Sequence, residues 1–222
     1  MIIDSTTFHI KPWHEKQWFD SFHKKWDNPK NVIHTLSGGI DSAFTLWYHA
    51  YYIKKNNLNT IINAYSDHSI NSPKNFLKIW DFITVMEFPE LTWGEHRVEF
   101  NTTQKKGIAQ RRKKRLNLFK KELDMPINMR EIDGTTMSPS IKEMKKLGMV
   151  GWKHRSIPTY IAPFTKVNKK KIAELLIKYD INELFYFADG CIYPSKDNKP
   201  CKECWWCKEK YWAFGMYDYG II

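Results

Sequence analysis

Two groups of residues have the types and spacing to do chemistry. The first is Ser37-Gly38-Gly39-Ile40-Asp41-Ser42, which follows a β-rich run and precedes a helical pattern. A strand, a glycine turn and a helix start make an anion site. The unpaired amides of the first helical turn point outward, and the helix dipole attracts negative charge. Gly38 and Gly39 allow close backbone approach and positive φ. Ser37 and Ser42 offer hydroxyl donors. Asp41 either caps the helix or helps hold Mg²⁺. The Lys-Ser/Thr end of a Walker loop is missing, as is G-x-G-x-x-G. The second group is Cys191, Cys201, Cys204 and Cys207, spaced C-x9-C-x2-C-x2-C. The chain's cysteines all fall in this one window, a pattern of metal ligation rather than of disulfides between distant segments. Four thiolates around one point suit tetrahedral Zn²⁺. An iron–sulfur cluster and a redox pair stay open. Gly190 and Pro200 supply the turns.

These groups must be carried by something. A chain of 222 residues, 42% hydrophobic, is long enough for one α/β domain with a sizeable core and short for two. The balance of 35 Lys+Arg against 24 Asp+Glu, net +11, suits polyanions such as ATP or nucleic acid without choosing between them. No apolar run approaches the ~20 residues of a membrane span. Residues 1–11 lack the layout of a secretion signal, so a cytoplasmic protein is expected.

Trp18, Phe22 and Trp26 share one face of a predicted helix over 13–26, with Phe19 beside them. β-rich runs at 31–36 and 60–65 predict two strands, and 96–100, 127–132 and 160–162 are candidates for three more. Helices are predicted over 41–55, 72–86, 105–123, 139–147 and 168–178. Phe44, Trp47, Tyr48 and Tyr51 form the apolar stripe of the helix over 41–55. Ile172, Leu175, Leu176 and Tyr179 form that of the last, capped by Asn168. Strands alternating with helices predict an α/β fold: a Rossmann-like parallel five-stranded sheet with helices on both faces and a small C-terminal four-cysteine zinc module. The expected organisation is a helical extension over 1–30, an ATP-binding domain over 31–188 and the zinc module over 189–222. Ligands then sit at the carboxyl ends of the strands.

The loop at 37–42 resembles the S-G-G-x-D-S loop of the ATP pyrophosphatase (PP-loop) superfamily at all its specified positions. That resemblance implies ATP cleaved to AMP and pyrophosphate through an adenylated substrate, with Mg²⁺. Asp133-Gly134-Thr135-Thr136 resembles the superfamily's G-T loop, which places Gly134 and Thr135 at the ATP site. The stretch 163–172 resembles its P-L, spacer, K-x-x-I segment, with Lys169 at the lysine position. Asp41 and Lys169 are thereby the expected catalytic residues. Tyr65 and Ser66, ending the second strand, stand where adenine stacks in relatives. The cysteine spacing, Pro200 before Cys201, and Ala213-Phe214 after the last cysteine are similar to the 7-cyano-7-deazaguanine synthase family. This implies an ATP-dependent carbon–nitrogen ligase that converts 7-carboxy-7-deazaguanine and ammonia to the nitrile. The family's Tyr-Pro-Asp-Cys-Arg-like middle stretch has no counterpart here; Met137-Ser138-Pro139-Ser140 stands near its place.

One stretch is very basic: Lys105, Lys106, Arg111, Arg112, Lys113, Lys114, Arg115, Lys120 and Lys121. It reads first as a solvated helix face or a patch for ATP phosphates, with Arg111 or Arg112 on the triphosphate. Phe119 is its only aromatic residue, so base stacking gains little and nucleic acid is the less favoured partner. A homodimer, a PP-loop tRNA-modifying enzyme and a nucleotide-binding relative without the activity stay open.

Overall fold

The computed structural model describes residues 15–69, 75–101, 108–149, 162–191, 193 and 199–218. Its centre is an all-parallel sheet of β1 (Asn31–Thr35), β2 (Ile61–Ser69) and β3 (Trp93–Asn101), in the order β1-β2-β3. Helix α2 (Ile40–Lys55) connects the first pair, and α3 (Phe76–Asp81) with a π-helical continuation (Phe82–Glu87) lies between the second and third strands. β1 is buried along nearly its whole length, as expected of a parallel strand covered on both faces. Asn63 stitches the three strands together. Its Nδ2 donates to Val32 O at 3.2 Å and its Oδ1 accepts from Glu95 N at 2.9 Å. A Cβ at position 94 would come within 2.0 Å of that Oδ1, so Gly94 is what lets the amide lie there.

The run 127–132 forms less strand than expected. Met129 N closes a turn onto Pro126 O at 2.9 Å, and pairing with β1 is confined to one parallel bridge, His34 to Ile132. That bridge still matters. Thr35 N donates to Ile132 O at 2.9 Å and Ile132 N to Ile33 O at 2.8 Å, so Ile132 extends the sheet on the side of β1 opposite β2. The chain leaves β1 one way for β2 and returns to its other side at Ile132. Such a reversal opens a crevice at the carboxyl end of the strand. The expected fifth strand at 160–162 falls almost wholly outside the described residues. Three strands are thus present among the described residues where five were expected.

The remaining helices are α1 (Glu15–Lys25), α4 (Ile108–Glu122), α5 (Ile141–Lys146), α6 (Lys169–Lys178), α7 (Glu183–Phe187) and α8 (Trp205–Phe214). The core face of α1 is Phe19, Phe22 and His23; Trp18 and Trp26 are only partly buried. α2 is buried on nearly all sides, wider than the stripe its periodicity predicts, because α1, α6 and α7 all pack on it. On α6 the expected face is observed, with Ile172, Leu175 and Leu176 buried. Asn168 caps it by accepting from Lys171 N at 3.2 Å. Neither α7 nor α8 was anticipated. No described helix is long and apolar enough to cross a membrane.

Under α1 runs a chain of three buried imidazoles. His23 Nε2 lies 2.8 Å from His49 Nε2, and His49 Nδ1 lies 2.7 Å from His34 Nε2. Burial pushes His23 down to about 4 and His34 to about 3. It holds His49 well below its usual value, reinforced by its two neighbours. An unfolded histidine takes its proton near pH 6.5. As pH falls below that, the unfolded state binds protons that the native state refuses, and stability is lost. One such proton corresponds to about 1.4 kcal/mol per pH unit. Urea unfolding should therefore show stability falling by at least that slope between pH 6 and 4; a flat profile there would contradict the buried neutral chain.

Candidate nucleotide site and four-cysteine centre

The loop between β1 and α2 is held by its own serines. Ser42 Oγ accepts from Ser37 N at 3.1 Å, donates to Gly39 O at 2.9 Å and lies 3.0 Å from Ser37 Oγ. Ser42 is thus a brace of the loop as well as a hydroxyl near it. Gly38 has φ of 83°, the left-handed region that glycine enters without strain. Gly39 does not share it. It is the N-cap of α2, with φ of −83° and ψ of 157°, and a Cβ there would meet nothing closer than Ser37 Oγ at 3.6 Å. No side chain caps α2, so its first amides are left for a ligand.

The loop after Ile132 closes on this helix start. A Cβ at Gly134 would lie 2.3 Å from Ser42 Cα and 2.5 Å from Ser42 N; only glycine permits the contact. Thr136 Oγ1 donates to Asp41 Oδ2 at 3.1 Å. Asp133 turns inward: it accepts from Thr135 N at 2.8 Å, from Thr35 Oγ1 at 3.3 Å and from the Thr135 hydroxyl. Between the two loops lies a cavity of about 300 Å³, lined among others by Ser37, Asp41, Ser42, Tyr65, Asp67, Gly134 and Thr135. The expected residues Ser37, Asp41, Ser42, Tyr65, Gly134 and Thr135 are therefore brought together.

Tyr65 presents a buried phenol oxygen with no hydrogen-bond partner. Burial, with Asp67 and Glu99 behind it, pushes that phenol up to about 12, so it stays a neutral donor. Ser66 is used elsewhere. Its hydroxyl donates to Leu36 O at 2.6 Å and meets His96 Nε2 at 2.8 Å, so its side chain braces the strands and does not line the cavity.

Lys169 is not a free cation. Its Nζ lies 2.9 Å from Asp41 Oδ2 and 2.6 Å from Glu209 Oε2. Burial pulls this ammonium's pKa down, but the two carboxylates more than offset that and leave it raised. The three groups sum to one negative charge beside a phosphate loop. Asp41 Oδ1 is meanwhile buried without a hydrogen-bond partner. A hard dication would fit both facts: the unused carboxylate oxygen could receive Mg²⁺, and the ion would offset the repulsion between Asp41 and a phosphate. Two of the three donors of Lys169 are taken by the carboxylates, which leaves one for a phosphate oxygen.

A second cavity of about 240 Å³ continues from the first through Ser37 and Asp41, and adds Gly39, Ile40, Lys169, Asp189 and Lys210. Here the cysteine module meets the loop. Asp189 N donates to Gly38 O at 2.8 Å, and Asp189 Oδ1 accepts from Cys191 N at 2.9 Å. Trp206, between Cys204 and Cys207, lines both cavities. Lys210 donates to Ala188 O at 2.8 Å and is ion-paired with Asp218.

The sulfurs of Cys191, Cys201, Cys204 and Cys207 all lie within 4.8 Å of one another, and those of Cys201 and Cys207 are 3.9 Å apart. Four sulfurs bound at ~2.3 Å around one tetrahedral ion stand about 3.8 Å apart, so the spacing fits a single ion. Amides already point at the sulfurs, Cys201 N to Cys191 Sγ and Cys204 N to Cys201 Sγ, each at 3.3 Å. Lys202 makes the tight turn with φ of 63°.

Sequence reasoning missed Glu209, Asp189 and Trp206. The one signal for Glu209 is a carboxylate inside an otherwise basic and aromatic stretch after the last cysteine.

No protein-family model matches the chain, and no curated protein matches it. Among solved structures it is similar to NMN synthetase from Francisella tularensis, at 15% identity and a TM-score of 0.43, covering 90% of this chain and 86% of that one. It is also similar to the U34-tRNA thiolase NcsA from Methanococcus maripaludis with its 4Fe-4S cluster. There the identity is 15% and the TM-score 0.44, with 82% of this chain and 68% of that one covered. Likeness at this level does not say what this chain binds or converts.

Proposed function

We propose that this protein binds ATP on the 37–42 loop and adenylates a carboxylate, as 7-cyano-7-deazaguanine synthase does, releasing AMP and pyrophosphate. One observation carries the reading: uncapped helix amides, a braced glycine turn and the unpartnered Asp41 Oδ1 converge on one cavity at the sheet's reversal. A carboxylate resists ammonia because its charge repels a nucleophile and oxide is a poor leaving group. Attack of a carboxylate oxygen on the α-phosphorus expels pyrophosphate and leaves an acyl adenylate. Ammonia then adds at the acyl carbon and AMP departs with the electron pair, giving the amide. A second adenylation, on the amide oxygen, followed by loss of AMP and two protons, gives the nitrile.

The chain's part in this is placement and charge. The amides at the start of α2 hold phosphate oxygens, Lys169 orients Asp41, and Tyr65 with Asp67 borders the nucleotide's far side. The four cysteines hold one zinc ion, whose role is structural. Their single-ion spacing favours zinc over a four-iron cluster, which attaches each thiolate to a different iron. The test is AMP formation from ATP, 7-carboxy-7-deazaguanine and ammonia, with metal content measured on the same sample. AMP and one zinc per chain are expected. Brown, iron-containing protein without AMP would favour the PP-loop tRNA-modifying alternative instead.

A further inference from the structure

Behind the nucleotide cavity lies a larger basin of about 660 Å³, between α4 and the segment leading to Ile132. Arg112 and Asp133 line both hollows, so the two meet there. The basin's other walls include Lys113, Asn117, Asn128 and Glu131, with Leu116 as an apolar floor. Its acids are already partnered. Glu131 pairs with the buried Lys120 at 3.1 Å, and Asp133 is turned into its own loop by Thr35 and Thr135. Neighbouring cations are partnered too: Arg115 with Glu99 at 3.2 Å, and Arg97 with Glu95 and Glu122 at 2.8 and 2.6 Å. Arg112 and Lys113 have no ion pair among the described residues. The basin therefore presents surplus positive charge, and presents it where it opens onto the nucleotide.

We propose that this basin is the acceptor site, that its ligand is a small carboxylate with a polar edge, and that Arg112 receives the carboxylate at the boundary with the nucleotide. The inference rests on the adenylation reading above. A guanidinium takes a carboxylate in a two-pronged geometry that fixes its plane. Held at Arg112, one oxygen faces the neighbouring cavity that contains the α-phosphorus. The O–P bond forms there, the bond to the β-phosphate oxygen breaks, and its electron pair leaves with pyrophosphate toward the loop. No proton moves in that step. The amides of Asn117 and Asn128 supply donors and acceptors for the remainder of a heterocyclic acid.

Calorimetry on the full chain tests this, with 7-carboxy-7-deazaguanine titrated into protein saturated with α,β-methylene-ATP. That analogue cannot release AMP. Loss of a charge-assisted pair corresponds to about a ten- to hundredfold loss of affinity. Arg112→Ala should weaken the carboxylate by that factor and change the affinity for the analogue by less than about threefold; Arg112→Lys should recover part of the loss. Arg112→Ala that weakens the analogue tenfold and spares the carboxylate would overturn the proposal and assign Arg112 to the triphosphate. Absence of carboxylate binding in the wild type would also overturn it. AMP formation, measured alongside, separates the two ideas. AMP formed with carboxylate affinity independent of Arg112 sinks the basin and keeps the adenylation reading. Arg112-dependent binding without AMP keeps the basin and sinks the adenylation reading.

Discussion

Asp41→Ala is expected to reduce AMP formation by on the order of a hundred- to a thousandfold or more, the usual scale for removing a preorganised charge or a metal ligand. Both oxygens of this carboxylate have work. Oδ2 accepts from Thr136 at 3.1 Å and pairs with Lys169 at 2.9 Å, while Oδ1 is buried and unpartnered at the loop. Stability should hardly change. The substitution leaves Lys169 and Glu209 as a balanced pair at 2.6 Å, with no charge stranded. The opposite partner behaves differently. Lys169→Met leaves the carboxylates of Asp41 and Glu209 facing each other in a buried site, and breaking a buried pair from one side costs about 3–5 kcal/mol. Thermal unfolding of the two variants, with AMP assayed on each, separates the roles. An Asp41→Ala protein that melts normally and turns over ATP at the wild-type rate would remove the loop from the chemistry.

The second large effect is expected from the cysteines. Cys204→Ser, or treatment with a strong chelator, should release the metal and unwind α8, and should weaken α,β-methylene-ATP at least tenfold. Cys204 is the N-cap of α8 and Cys207 lies in its first turn. The same helix carries Glu209 to Lys169 and presents Trp206 to both cavities. A short segment that lacks its own core would draw folding free energy from an ion held by the four cysteines. The segment before the helix also touches the loop, through Asp189 N and Gly38 O at 2.8 Å. Limited proteolysis of 199–218, metal content and nucleotide affinity should change together. Full protection of α8 in metal-free protein with unaltered nucleotide binding would show the module to be independent of the site.

The legible parts of the sequence were those decided by near neighbours. The 37–42 loop, the cap at Asn168, the face of α6 and the cysteine cluster each follow from residues a few positions apart. Each rests on a local requirement: a positive φ, an orphan amide, a helical repeat, four sulfurs around one point. Other features misled for physical reasons. β-propensity over 127–132 was overridden by the turn at Pro126, which leaves a single bridge at Ile132. What the Ser66 hydroxyl does, donating to Leu36 O, is likewise not legible from its place at a strand end. Helix α2 is buried more widely than the stripe its periodicity shows.

The sequence by itself determined that a glycine turn precedes a helix at 37–42 and that four cysteines share one short window, because both are defined by spacing along the chain. Only the tertiary structure decided that they belong to one site. Asp41 lies more than a hundred residues before Lys169 and Glu209, which are themselves 40 apart, and nothing local announces their contact. They meet because α8 packs on α6, which carries Lys169, and because α6 and the 133–136 loop both pack against α2. Low dielectric and close packing select that pairing over solvent, and neither acts until the chain has folded.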